Sequence, residues 1–274
     1  MGSRRTILFS TGLAIAIATS YPAAKRRLRR SLSAYMDRLL RKKAEPWPAR
    51  DTSRPTLIFA PHQDDGVLGC GGLIASRCEA GENVHIAYIT DGSASHPGHP
   101  RVSPAQMAAL RMEEARLATS VAGVPPGNLH FLNAPDSRLP HLDPATRAQL
   151  VDRLRELIVR LNPAEVFITS AHDGSSEHTA ANALVADAIR ELPQPPRLLN
   201  YVVWARWNPR CLWRPYQLSR HVYRLEFERL SDRKQAALRL YRTQVEPLAP
   251  WTEPVLSTEF LSFFKKPEEF FFET

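Results

Sequence analysis

Five short apolar runs punctuate the chain: TLIFA (56–60), VHIAYIT (84–90), NLHFL (128–132), EVFIT (165–169) and RLLNYVVWA (197–205). Continuous apolar runs of this length suit strands buried on both faces of a sheet. Between them, apolar positions recur at helical spacing. Residues 67–80, 104–122, 144–161 and 178–191 read as helices, the third with Leu150, Leu154, Leu157, Ile158 and Leu161 on one face. Ser103 before Pro104 signals a helix start, and Asn162-Pro163 signals a stop. Strands alternating with helices in this way predict βαβ units.

The implied architecture is α/β and Rossmann-like, a mostly parallel sheet with helices on both faces in a three-layer α/β/α arrangement. After residue 206 the alternation breaks into the aromatic, proline-rich WNPRCLWRPYQL (207–218). SDRKQAALRLYRTQ (231–244) follows, starting like an N-capped helix, and the chain ends on EFLSFFKKPEEFFFE, which holds six phenylalanines. This part reads as a lobe closing on the sheet. Trp204, Trp207 and Trp213 suit packing beneath it better than stacking on a sugar.

The formal charge of +8 is concentrated at one end. Residues 1–43 hold eleven Lys/Arg against the single acid Asp37, so the rest of the 274-residue chain sums to −2 and its pI carries no message about substrate. Ahead of the basic run KRRLRR (25–30) lies TILFSTGLAIAIATSYPAA (6–24), 19 residues without charge. That length suits a membrane-spanning helix. The flanking cations favour a cytoplasmic C-terminal side, whereas SRRTIL (3–8) resembles a twin-arginine export signal, the alternative. Leu28, Leu32, Tyr35, Met36, Leu39 and Leu40 recur among cations at helical spacing, a pattern suited to anionic lipid or to packing. No nucleic-acid module accompanies the basic tract, so nucleic acid is not expected as a partner. Residues 1–50 are thus expected to be an anchor or signal, and 51–274 one catalytic-sized domain. Cys70, Cys78 and Cys211 suggest no disulfide framework.

The chemistry concentrates where strands hand over to helices. PHQDDG (61–66) follows the first strand, TDG (90–92) the second, and SAHDGSSEH (170–178) the fourth. In parallel α/β sheets these carboxyl ends share one edge, where ligands bind. Adjacent aspartates repel unless a cation lies near. His62 and Asp65 suit one metal ion, with His178 the best-placed third ligand and Asp64 beside the metal as the base for a bound water. His96 and His99, in SASHPGHP, read as a mobile rim rather than ligands.

PHQDDGVLGCGGLIA resembles the HPDDEVLGCGG signature of the PIG-L/LmbE-like family of zinc-dependent N-acetylglucosaminyl deacetylases. YITDG (88–92), LRMEEARLATSVAGV (110–124), FLNAPDSRL (131–139), SSEHTAAN (175–182) and KQAALRLYRTQ (234–244) resemble further family motifs in the family's order. The likeness spans about residues 55–270. It implies an N-deacetylase holding Zn2+, or another divalent ion, on His62, Asp65 and His178, with Asp64 the general base. It also implies Arg111 and Asp136 on the substrate side, and an N-acetylated sugar of a glycolipid or glycoconjugate as substrate. Three positions depart from the pattern: Gln63 for the proline, Gly66 for a glutamate, and Ser175 for the first histidine of HPDH, for which His172 is the nearest substitute. The departures favour one rival, a catalytically weakened glycan-binding or membrane-assembly protein on the same fold. GCGG favours another, a nucleotide-binding domain, although no G-x-G-x-x-G follows the first strand.

Overall fold

The computed structural model of the protein describes residues 6–49 and 51–273, with side chains from Ala24 onward apart from that of Pro209. Seven strands form one sheet: β1 (Thr56–Ala60), β2 (Val84–Thr90), β3 (Leu129–Ala134), β4 (Glu165–Thr169), β5 (Arg197–Tyr201), β6 (His221–Glu226) and β7 (Glu268–Glu273). Their order is β3-β2-β1-β4-β5-β7-β6. The first five in that order pair in parallel, and β7 and β6 are added antiparallel. The helices are α1 (Thr6–Lys43), α2 (Asp65–Glu79), α3 (Pro104–Ala122), α4 (Pro144–Leu161), α5 (Ser176–Arg190) and α6 (Trp204–Trp207), then α7 (Pro209–Leu218), α8 (Ser231–Leu238), α9 (Arg242–Val245) and α10 (Thr258–Leu261).

The pleat of β1 divides the core. Ile58 and Ala60 face a cluster that includes Val67, Leu73, Ala115 and Ala237 from α2, α3 and α8. Leu57 and Phe59 face Leu154, Leu157, Leu184 and Val185 from α4 and α5. Each wholly buried side chain of this size contributes about 1.5–3 kcal/mol, so both faces of the sheet are covered and the three layers are those the alternation predicts. Ser103 completes a capping box with Gln106, and α3 stops at Gly123 in the left-handed region.

Gly69 and Gly72 of α2 let bulky side chains reach the helix backbone. A Cβ at these positions would stand 2.1 Å from the Tyr201 ring and 2.2 Å from the Phe227 ring. The glycines of GCGG thus serve close packing. Tyr201 ends its path with its hydroxyl donating to the Phe59 carbonyl at 2.9 Å.

Two expectations change. The strand predicted over 197–205 stops at Tyr201, because Asp173 accepts hydrogen bonds from the N–H groups of Val203, Trp204 and Ala205 at 2.8–3.0 Å and turns the chain into α6. The C-terminal lobe does more than pack on the sheet: Phe270, Phe271 and Phe272 lie in β7 and extend it.

The end of α1 joins this lobe. Met36 and Leu40 are buried with Val202, Leu212, Val222, Phe270 and Phe272. Buried Asp37 accepts from Arg206 at 2.8 Å and pairs with Lys266. No helix among the described residues is long and apolar enough to cross a membrane. Arg4 and Arg5 of the twin-arginine-like stretch, and the side chains of the uncharged stretch before Ala24, lie outside the described residues.

Candidate active site

The strand order reverses at β1, flanked by β2 on one side and β4 on the other. The connections after β1 and β4 therefore open a crevice between them, the place where open α/β sheets bind ligands. The β1–α2 connection brings His62 and Asp64, with Asp65 at the start of α2, and the β4–α5 connection brings Asp173, with Glu177 and His178 in the first turn of α5.

Asp65 stands at the centre. Its Oδ2 lies 3.0 Å from His62 Nδ1 and 3.2 Å from His178 Nε2, and it accepts the His62 backbone N–H at 2.9 Å. These three side chains offer ligand atoms within 4.8 Å of one another. The remaining ring nitrogen of each histidine also meets a carboxylate: His62 Nε2 lies 3.2 Å from Asp136 Oδ1, and His178 Nδ1 lies 2.6 Å from Asp173 Oδ2. Outer carboxylates of this kind orient metal-binding imidazoles.

The residues fit a divalent cation on two grounds. Buried His178 Nε2 faces Asp65 Oδ2 at 3.2 Å without forming a hydrogen bond. Asp64, Asp65, Asp136, Asp173 and Glu177 are all buried around one guanidinium, Arg111, and two imidazoles, an excess of negative charge that a cation would relieve. A second grouping, His62, Asp136 and Glu177, shares His62 with the first.

The protonation states follow from this crowding. Burial pulls both imidazoles down, but Asp136 and Asp65 outweigh it at His62, raised to about 9, and Asp65 and Asp173 outweigh it at His178, raised to about 10. Asp65 moves the opposite way: burial raises it, and the two histidines drive it well below the usual carboxylate range. Asp64 is raised, chiefly by burial and further by the Asp65 charge, against the pull of Arg111, whose Nη2 donates to Asp64 Oδ1 at 2.7 Å.

Two cavities meet at His62, Ser137 and Trp204. The inner one, about 140 Å3, is bounded by Asp64, Arg111, Asp136, Ser95 and Gln244. The outer one, about 550 Å3, runs past Glu177 towards Trp207.

The structure thus brings His62, Asp64, Asp65, Arg111, Asp136 and His178 together. His172 lies apart, lining neither cavity, because the turn closed by Asp173 N–H on Ser170 C=O directs Asp173 to His178 instead. His96 and His99 are not a mobile rim: both are buried, and their rings pack on Trp251 at 5.2 and 5.3 Å. Trp204 and Trp207 pack on Phe260, as expected, yet both also line the outer cavity, whereas Trp213 is 42% exposed. Cys211 lines that cavity too.

At the departing positions, Gln63 donates to the Thr90 carbonyl at 2.9 Å and ties the first loop to the second strand. Ser175 caps α5 by accepting the His178 N–H. Gly66 faces Ala60, Ile86 and Ile58, the apolar floor beneath α2. Asp173, Glu177 and Gln244 escaped the sequence reading. Asp173-Gly174 is an ordinary turn signal, so only its partners distinguish it.

Residues 57–189 match the family model described as PIG-L, GlcNAc-PI de-N-acetylase. The chain carries a PIG-L-family domain. Over 162 residues it is 27% identical to the diacetylchitobiose deacetylase of Thermococcus kodakarensis, covering 58% of this chain and 57% of that one. The chain thus spans little more than half the length of that relative. Solved structures share the fold, two among them as follows. The N,N'-diacetylchitobiose deacetylase of Pyrococcus horikoshii aligns with a TM-score of 0.53 at 20% identity, over 69% of this chain and 70% of the other. The 4-carboxy-2-hydroxymuconate hydratase GalB of Pseudomonas putida KT2440 aligns with a TM-score of 0.57 at 19% identity, over 77% and 82%. A PIG-L-like fold therefore accompanies more than one chemistry, and the site must argue the reaction.

Proposed function

We propose that the protein is a divalent-metal-dependent hydrolase removing the N-acetyl group from an N-acetylglucosamine-type sugar of a glycolipid or glycoconjugate. The observation that carries this reading is a three-ligand cluster, His62, Asp65 and His178, with a second acid, Asp64, beside it and engaged by Arg111. Two imidazoles and a carboxylate suit zinc, and also other divalent ions. Such an ion, when bound, supplies a Lewis acid for the acetyl carbonyl and an acidified water.

The chain's own residues do the rest. Asp136 and Asp173 hold the two imidazoles in orientation from their far sides. Asp64 takes a proton from the attacking water and is placed to return it to the departing amine. Arg111 holds Asp64 Oδ1, so that carboxylate acts from one fixed position. The inner cavity, with Asp136, Ser95 and Gln244 on its walls, receives the sugar hydroxyls, and the outer cavity receives the aglycone. The deacetylases among the relatives support the reaction type.

The test is to load the full-length chain with zinc, measure metal content, and follow acetate release from N-acetylglucosaminyl compounds beside Asp64→Asn. One equivalent of metal with acetate release lost in the variant is the expected result. Metal bound without any acetate release would instead favour the glycan-binding rival, which draws on Gly66 and Ser175.

In the same reading the N-terminus tethers the enzyme to a membrane, with the catalytic part on the cytoplasmic side. Its support is the uncharged stretch 6–24 followed by KRRLRR, together with Leu28 and Tyr35, more than half exposed on α1. Fractionation with protease protection separates this from export through the twin-arginine-like stretch, which would leave the chain outside the cytoplasmic membrane.

A further inference from the structure

The loops that follow β1, β2 and β3 are joined by hydrogen bonds, and these joints decide where Asp136 stands. Thr90, at the end of β2, donates to the Pro61 carbonyl from its N–H at 3.0 Å and from its hydroxyl at 2.8 Å, while Gln63 Nε2 donates to the Thr90 carbonyl. Between the second and third loops, two aspartates hold each other's backbone. Asp91 Oδ1 accepts the Asp136 N–H at 3.3 Å, and Asp136 Oδ2 accepts the Ala94 N–H at 2.9 Å. The Asp91 N–H adds a bond to the Ala134 carbonyl at 2.9 Å.

Both the peptide of Asp136 and one of its carboxylate oxygens are thus fixed from the β2 side. Oδ1 is the oxygen left over, and it faces His62 Nε2 at 3.2 Å. The backbone beside this link is constrained: Ser137 has a φ of 61°, a left-handed conformation that a residue with a side chain holds where its surroundings impose it. Gly92 has a φ of 71°, and a Cβ there would stand 2.2 Å from Gln63 Oε1. Asp91 itself lines neither cavity. Its Oδ1 also accepts the Ser93 N–H at 3.0 Å, the bond of an ordinary aspartate turn. The additional bond from Asp136 turns that local device into a link between loops.

Resting on the metal-dependent reading of the site only for what this placement serves, we infer that Asp91 is a positioning residue for His62, acting through Asp136. Asp91 aims Asp136 at the imidazole without meeting metal or sugar.

The test is a double-substitution cycle on the zinc affinity of the full-length chain, measured by competition with a chromophoric chelator. Asp91→Ala is expected to weaken zinc binding about tenfold, the lower end of what outer partners of metal ligands contribute. In a chain already carrying Asp136→Ala the same change should add less than about twofold. Asp91→Asn keeps an oxygen that accepts both N–H groups and should bind zinc as the unaltered chain does. Asp91→Glu keeps the charge but displaces the oxygen; it should behave as Asp91→Ala does, and it carries the cycle if the alanine variant does not fold. Thermal melting controls for folding. Losses that add, an affinity unchanged in Asp91→Ala, or an Asp91→Asn as weak as Asp91→Ala would each overturn the inference. The deacetylase reading fails separately, because affinity is read without turnover: coupled losses without acetate release keep the role of Asp91 and remove the reaction. If the chain binds no zinc, the His62 ring-nitrogen resonances, assigned by their absence from His62→Gln, supply the same cycle. A shift caused by Asp91→Ala that vanishes in the Asp136→Ala chain upholds the inference, and any other pattern overturns it.

Discussion

Two regions of this molecule bury charge, and they treat it differently. In the C-terminal lobe the buried acids Glu268 and Glu269, and Asp37 of α1 packed against it, close on partners within the protein. Asp37 meets Arg206 and Lys266, and Glu269 accepts from Lys234 and from the N–H groups of Gly72 and Leu73. At the β1–β4 crevice the groups are as deeply buried, yet His178 Nε2 and Asp136 Oδ1 face their ion-pair partners at 3.2 Å without forming a hydrogen bond, and Glu177 Oε2 has no hydrogen-bond partner. Burial of unpaired polar groups costs stability. A region that closes its charges is built for holding elements together, and one that leaves them open is built for a ligand.

The largest expected effect breaks the crevice side. Asp64→Asn should lower kcat by about 10²–10⁴ while leaving folding intact, since it removes one of two adjacent buried carboxylates; a stability loss equal to the activity loss would make Asp64 structural. The converse holds in the lobe. Asp37→Ala should cost about 3–5 kcal/mol, because Arg206 is left buried and unpaired, while the activity of the folded fraction is unchanged. Burial raises the Asp37 carboxyl, but Arg206 and Lys266 outweigh it and lower its pKa below 3.8. The stabilisation is thus fully present above that value and is lost only as pH falls through the folded value. Denaturant melts of the two chains should therefore converge in acid.

Asp173→Asn tests the boundary between the regions, since Asp173 serves both His178 and the turn into α6. Metal affinity should fall about 10- to 100-fold, and Trp204 fluorescence should change with it; metal affinity equal to that of the unaltered chain would confine Asp173 to the turn. The smallest effect is protonic. His62 and His178, raised to about 9 and about 10, are both imidazolium at neutral pH without metal. Their pairing with carboxylates stabilises the metal-free fold below the ordinary histidine value and is lost as pH rises through 9 to 10. A divalent ion binding there has to displace these protons, so binding should release about two at pH 7 and tighten with pH. Calorimetry in buffers of different ionisation enthalpy counts them.

Much of the core was open to reading. Helices 104–122 and 144–161 carry local signals, a capping box and a 3.6-residue stripe, that need no distant partner, and the structure has both at those bounds. β6 and β7 were not legible, because β7 finds its place between β5 and β6 through pairings whose partners lie tens of residues away. Likewise RLLNYVVWA is apolar to its end, and only Asp173, arriving from β4, stops it as a strand.

The chain by itself determined the alternation of strands and helices and the residue types delivered at each strand end, because periodicity, caps and turn residues act over a few positions. It thereby put His62, Asp64, Asp65 and His178 on one edge. Only the tertiary structure decided that Asp136 and Asp173 stand behind the two imidazoles, that Glu177 lies in the cavity while His172 does not, and that Met36 and Leu40 of α1 are buried against the C-terminal lobe. These depend on distances between segments far apart in sequence, which no local pattern encodes.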